Sequence, residues 1–165
     1  FGTGLNALLT ALFAEKNNIT ITYHTLEPYP LNQEIVSQLN YGQCIKEENA
    51  NNYFQELHKS NWEEKNKLHE NFDFYKYLQK LEDFSIIENK FDLVYFDAFA
   101  PNRQAEMWTI EQLGKVAEMM KGNSVLVTYC AKGQFKRDLK SLNFELEMLA
   151  GPPGKREMTR AFYHK

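Results

Sequence analysis

The segment Asp97-Ala98-Phe99-Ala100-Pro101 puts a carboxylate directly after the apolar run Phe91 to Phe96 and ahead of a stiff, proline-containing loop. In open α/β sheets, ligands bind at the carboxyl ends of the strands. A carboxylate there can accept a hydrogen bond from an amine nucleophile or take its proton, leaving a lone pair free to attack. Phe99 can stack on a base or wall off the reacting group. A second set of residues lies at the other end of the chain, where Gly2-Thr3-Gly4 opens a helical pattern. Glycine permits a left-handed backbone and close approach to a ligand, and a helix N-terminus offers free N–H groups. Glu27 follows about 25 residues later, at the end of a strand pattern, where an acid can accept hydrogen bonds from both ribose hydroxyls. Together these residues point to a nucleoside-containing cofactor in a doubly wound sheet, either a nicotinamide dinucleotide or S-adenosylmethionine.

These residues need strands and helices to hold them. Leu5, Leu8, Leu9, Leu12 and Phe13 are spaced for one helix face over Leu5 to Glu15, and Ile19 to Tyr23 alternates as a strand. A helix is expected over Leu31 to Leu39. The polar stretch 41–71 reads as a helical insertion covering one edge, followed by a strand at Phe72 and Phe74. Phe91 to Phe96 reads as a buried strand. Ala105 to Met120 reads as a helix stopped by Gly122, and Ser124 to Tyr129 as an apolar strand. Lys132 to Leu142 is helical, Phe144 to Leu149 is a strand, Gly151 to Gly154 a rigid turn, and Arg160 to Tyr163 a final strand. Alternating strands and helices predict a mostly parallel α/β sheet. The last two strands lack room for a crossover helix, so they should pair antiparallel. That terminal hairpin, and the absence of a third glycine after Asn6, favour S-adenosylmethionine over a nicotinamide cofactor.

With 165 residues, 43% apolar and 25% charged, the chain has the composition of one globular domain. No apolar stretch reaches the length of a bilayer span. Cys44 and Cys130 form no CxxC pair or Cys/His cluster, so they read as reduced thiols of a cytoplasmic protein, with no metal site. The net charge of −3 is unevenly distributed. Residues 1–120 carry 10 Lys and Arg against 18 Asp and Glu, and residues 121–165 carry 9 against 4. A basic final quarter on an acidic body suits a phosphate or nucleic-acid contact. Lys132, Lys136, Arg137 and Lys140 recur along one predicted helix, and Lys155, Arg156 and Arg160 follow in the turn and last strand.

Three motifs in order carry a resemblance. Phe1-Gly2-Thr3-Gly4-Leu5-Asn6, then Asp97-Ala98-Phe99-Ala100-Pro101 with Met107-Trp108, then Gly151-Pro152-Pro153-Gly154-Lys155-Arg156-Glu157-Met158 resemble the methyltransferase domain of the bifunctional tRNA 5-methylaminomethyl-2-thiouridine biosynthesis family. The resemblance covers about 1–40 and 91–165. It implies a Rossmann-like class I S-adenosylmethionine-dependent methyltransferase that methylates the aminomethyl group of a modified wobble uridine in tRNA. By the same resemblance Phe1, Gly2, Thr3, Gly4, Asn6 and Glu27 would hold the cofactor. Asp97 and Phe99 would face the methyl and the amine, and the basic residues would meet tRNA. The family's flavin-dependent oxidase half has no counterpart in this chain, which implies either a stand-alone methyltransferase, with a separate enzyme supplying the aminomethyl uridine, or an excised domain. The acid expected after the third strand is not at Tyr77-Leu78, which leaves Glu82 or Asp83 as the candidate adenine contact. Two alternatives stand beside this reading: an NAD-linked oxidoreductase on a similar sheet, and a non-catalytic RNA-binding module. In the expected sheet the strand before Phe1 is a central one, so the chain reads as a fragment lacking its first strand.

Overall fold

A computed structural model describes residues 1–85, 90–151 and 153–165, and the chain divides into two compact units, Phe1–Lys80 and Leu81–Lys165.

The first unit opens with helix α1 (Leu5–Asn17), capped at its start by Gly4 and closed by Asn18 in the left-handed conformation (φ 51°). Strand β1 (Ile21–Leu26) follows, then the short helices α2 (Gln33–Gln38) and α3 (Tyr41–Cys44), and α4 (Ala50–Lys59). The Asn32 side chain starts α2 by accepting from the Ile35 N–H at 2.9 Å. Strands β2 (Lys65–His69) and β3 (Phe72–Tyr77) complete a sheet of order β1-β3-β2. The stretch 41–71 is therefore only partly helical. Its last third is an edge strand paired antiparallel with β3, Lys65 opposite Tyr75 and Asn66 opposite Phe74. Polar residues on both faces hid it, since an edge strand has little apolar alternation to display. The core is built by Ala7, Leu8, Ala11 and Leu12 of α1, Tyr53, Phe54 and Leu57 of α4, and Phe72 and Phe74 of β3. The buried stripe of α1 is rotated from the expected one. Its small alanines lie inside, while Leu9 and Phe13 remain 47% and 55% exposed.

The second unit is a four-stranded sheet of order β4-β5-β7-β6, made of β4 (Phe91–Tyr95), β5 (Met120–Thr128), β6 (Phe144–Ala150) and β7 (Glu157–Tyr163). The segment expected as one helix to Met120 is instead a 3-10 turn (Ala105–Trp108) and a helix, α5 (Ile110–Glu118), started by the Thr109 side chain. Met120 already belongs to β5, paired with Phe91, and Gly122 lies inside the strand. The ladder is irregular between Phe91 and Leu93, with Asn123 at φ 61°. Between the pairs at Phe91 and Leu93, β5 advances five residues while β4 advances two, and the extra residues erase the alternation a sequence reading depends on. Helix α6 (Gly133–Ser141) buries Phe135 and Leu139. The β6 and β7 strands pair antiparallel as their short connection requires, from Phe144 opposite Tyr163 to Ala150 opposite Glu157. Pro152 of the predicted turn lies outside the described residues.

Both sheets are mixed. The pairs β1/β3 and β4/β5 are parallel, and the other three pairings are antiparallel. Strand β4 is less buried than its apolar sequence suggests, with Leu93 and Tyr95 both over 40% exposed, because among the described residues it lies at the edge of its sheet, paired with β5.

Candidate active site

In the first unit the glycine turn takes the conformation that its residues allow. Gly2 sits at φ +59° with open space where a side chain would begin, and Gly4 at φ +77°. The Gly4 N–H donates to the Phe1 carbonyl at 3.1 Å, which closes the turn, and Gly4 itself offers no side chain to cap α1. Glu27, just past β1, is tied to this turn. Its Oε2 accepts from the Gly2 N–H at 2.9 Å and its Oε1 from the Tyr29 N–H at 3.0 Å. An ionised carboxylate has about four acceptor positions, so capacity remains on both oxygens for ribose hydroxyls.

Three residues that sequence reasoning missed support the turn from below. His58, on α4, places Nε2 at 3.2 Å from the Thr3 carbonyl. It also fills the space under Gly4, where a side-chain carbon would lie 2.9 Å from that nitrogen. Burial lowers the His58 pKa, opposed by the Thr3 hydrogen bond and aided by the Lys76 charge. The ring is therefore neutral at pH 7, and the bond to a carbonyl assigns the proton to Nε2. The Phe1 ring packs edge-on to His58 and Trp62 at 5.1 and 6.0 Å. Beneath them Lys76, fully buried, donates to Ser60 O at 2.7 Å and Leu57 O at 2.8 Å. Its ammonium lies 4.7 Å from the centroid of the Trp62 ring. Lysine at a helix C-terminus satisfies carbonyls that the helix leaves open. A small cavity of about 50 Å³ opens beside the turn, lined by Phe1, Gly2, Leu31, His58 and Trp62 among others. A larger cleft of about 240 Å³ between α4 and β2 holds none of the predicted site residues.

In the second unit Asp97 stands exposed one residue after the buried Phe96, at the C-terminal end of β4 as expected. The loop that follows is fastened at two consecutive carbonyls. Trp108 Nε1 donates to Phe99 O at 2.7 Å, and the Tyr129 hydroxyl donates to Ala98 O at 2.7 Å. Trp108 is itself wedged edge-on among Phe96, Tyr129 and Phe135. This bracing leaves the Phe99 side chain 74% exposed, available for a ligand rather than part of the core. Tyr129 escaped the sequence reading, although it lies at the carboxyl end of β5, the position that singled out Asp97 on β4.

The predicted basic residues fall into two groups. Lys136 pairs with Glu157 at 2.9 Å, and Arg160 forms an ion pair with Glu147. The Lys136 ammonium holds the Glu157 carboxyl below its ordinary value. Lys132, Arg137, Lys140 and Arg156 are exposed. Arg137 bonds a neutral partner, Gln134, at 2.8 Å. Lys155 lies over the Tyr129 ring, 3.4 Å from its centroid. Glu82 and Asp83 are exposed in a turn. Among the described residues no three His, Cys, Asp or Glu cluster as metal ligands, and no helix is long and apolar enough to cross a membrane.

A family model described as S-adenosyl-L-methionine-dependent methyltransferase matches residues 45–164. The chain belongs to this family. The match sets aside the nicotinamide alternative and makes S-adenosylmethionine the cofactor. Relatives named tRNA 5-methylaminomethyl-2-thiouridine biosynthesis bifunctional protein MnmC are similar over nearly its whole length. That of Hydrogenovibrio crunogenus is 26% identical over 96% of the chain and that of Leptospira interrogans 27% identical over 99%. The chain spans only 24% and 26% of these two proteins. The crystal structure of MNMC2 from Aquifex aeolicus matches the whole chain and half of its own with a TM-score of 0.75 at 20% identity. Its likeness concerns the fold, a Rossmann-like α/β class I methyltransferase with an antiparallel C-terminal hairpin. The glycine turn of this methyltransferase fits the cofactor: two left-handed glycines, open space at Gly2, a helix start without an N-cap side chain and an immobilised acid.

Proposed function

We propose that this methyltransferase methylates the amine of an aminomethyl group on a modified wobble uridine of tRNA in the cytoplasm, downstream of a separate enzyme that installs the aminomethyl group. The two units are read as parts of one methyltransferase domain, because the family match 45–164 runs across the boundary between them. The observation that carries the reading is the Asp97 loop, a carboxylate at a strand's carboxyl end on a loop braced by Trp108 and Tyr129. The tRNA substrate follows from the names of the relatives that match 96–99% of the chain.

When bound, S-adenosylmethionine supplies a methyl group on a sulfonium, already a good leaving group. The protein therefore has mainly to position the amine and remove its proton, since an ammonium has no lone pair. Gly2, Thr3, Gly4, the α1 amides near Asn6, and Phe1 hold the methionine and sugar parts, with Glu27 on the ribose hydroxyls. Asp97 accepts the proton, and Phe99 packs on the uracil or screens the reacting groups from water. Glu82 or Asp83 remains the candidate for the adenine amino group. Lys132, Arg137, Lys140 and Arg156 take phosphates. Lys136 and Arg160, both paired with glutamates, contribute less than their sequence positions suggest.

The test is transfer of labelled methyl to tRNA bearing the aminomethyl uridine. Asp97→Ala should lower turnover by roughly a hundredfold or more, with binding of tRNA that lacks the aminomethyl group unchanged. Turnover within a few-fold of wild type would remove Asp97 from the chemistry.

A further inference from the structure

Tyr129 and Lys155 form a contact that the reading above leaves without a purpose. The Lys155 ammonium stands 3.4 Å from the centroid of the Tyr129 ring. That ring is fixed, because its hydroxyl is anchored on Ala98 O at 2.7 Å and Trp108 packs against it edge-on at 6.0 Å. The anchor is the residue next to Asp97. Burial raises the Tyr129 phenol pKa, and the negative charge of Asp97 raises it further, so the carboxylate acts on this ring electrostatically. An immobilised aromatic face beside a carboxylate offers two attractions to one small cation. Lys155 is exposed and follows Gly154, itself at φ +86°. Its four-carbon stem can swing the ammonium away without disturbing the sheet.

We propose that the Tyr129 face covered by Lys155 is the seat of the substrate's primary ammonium, and that Lys155 is a competing occupant displaced when that amine arrives. The inference rests on the amine-methylation reading above and adds to it a site that selects charge. A neutral or absent group on the uridine cannot displace a lysine from an aromatic face, whereas a primary ammonium exchanges like for like. Seated there, the amine adjoins the loop bearing Asp97, which then takes its proton.

The experiment compares equilibrium binding of two anticodon stem-loop RNAs to the full-length protein, identical except that one wobble uridine carries an aminomethyl group. The readout is the ratio of the two affinities, which cancels any phosphate contact made by Lys155. Tyr129→Leu should lower the wild-type preference about fivefold, the range for a cation over an exposed ring, and Tyr129→Phe, which keeps the ring but loses its anchor, should lower it less. Lys155→Met should weaken binding of both RNAs yet raise the preference about two- to threefold, because the competitor is gone. A merely structural Lys155–Tyr129 contact leaves the ratio unmoved. If Tyr129→Leu fails to fold, the surface variant Lys155→Met decides alone: an unchanged or reduced preference overturns the proposal. A wild-type protein that neither prefers nor methylates the aminomethyl RNA would instead overturn the amine-methylation reading.

Discussion

Lys76 has no exposed surface, and replacing it by methionine should reveal a stability difference that depends on pH. Its ammonium donates to Ser60 O at 2.7 Å and Leu57 O at 2.8 Å, two carbonyls at the end of α4, and more weakly to His58 O at 3.4 Å. Burial pulls its pKa from 10.5 down to about 8, so at pH 7 it is still mostly charged. Lys76→Met removes a desolvation cost of about 3 kcal/mol, the free energy of holding the pKa at about 8 in place of 10.5. It also removes two short charge-assisted hydrogen bonds worth about 1.5–3 kcal/mol each and strands their acceptors. The losses outweigh the relief by about 1 kcal/mol at pH 7. The sign at higher pH follows from the unfolded chain holding this proton more tightly than the folded one. Wild type therefore gains stability as pH rises from about 8 towards 10.5, and the variant lacks that gain. Between pH 7 and 10 the gap between them should widen by about 2.5 kcal/mol, since every other titrating group is common to both. Urea unfolding followed by circular dichroism at the two pH values measures it. A gap constant to within about 0.5 kcal/mol would refute the depressed pKa, and a variant more stable than wild type at pH 7 would refute the capping role. Because the α4 end also carries His58 under Gly4, binding of S-adenosylhomocysteine should weaken in the same variant.

Other substitutions separate holding from chemistry. Glu27→Gln removes the charge that accepts from Gly2 and Tyr29 and should weaken S-adenosylhomocysteine binding about tenfold or more by calorimetry; a dissociation constant within about twofold of wild type would mean that Glu27 only stitches the turn. Trp108→Phe keeps an aromatic ring but loses the donor to Phe99 O. It should cost about 2 kcal/mol in denaturant unfolding and lower turnover with cofactor affinity unchanged, and an unaltered turnover would show that the loop needs no such brace. Arg137→Ala with Lys140→Ala should reduce the salt-dependence slope of tRNA binding by about 2, while Lys136→Ala, whose charge already faces Glu157, should barely move it. Equal slopes for the double variant and wild type would place the RNA elsewhere.

What the sequence disclosed and what it concealed divide along one physical line. Gly2, Gly4, Glu27 and Asp97 were legible because their chemistry is local: a left-handed turn, an acid ending a strand, a carboxylate leaving an apolar run. Each needs only its own neighbours to be recognised, and the antiparallel β6/β7 pair followed likewise from a connection too short for anything else. His58, Trp62, Lys76 and Tyr129 were not legible, because each acquires meaning from a partner far along the chain. His58 reaches Thr3 across 55 residues and Tyr129 reaches Ala98 across 31. Lys76 shares the buried face of β3 with Phe72 and Phe74, and a lysine at such a position has no evident role until three carbonyls are seen to face it. The same division explains the basic residues. Helical spacing identified charges that share a face, but a glutamate on β7, 21 residues away, decides that Lys136 is paired while Arg137 bonds a neutral side chain. In this fold the residues proposed to meet the ligand sit at the ends of elements and can be read in order, whereas the groups that hold them rigid come from other elements. Substitutions among the groups that hold the glycine turn, His58, Trp62 and Lys76, should therefore change cofactor affinity and stability together, and substitutions at Asp97 should change rate while leaving cofactor affinity and stability alone.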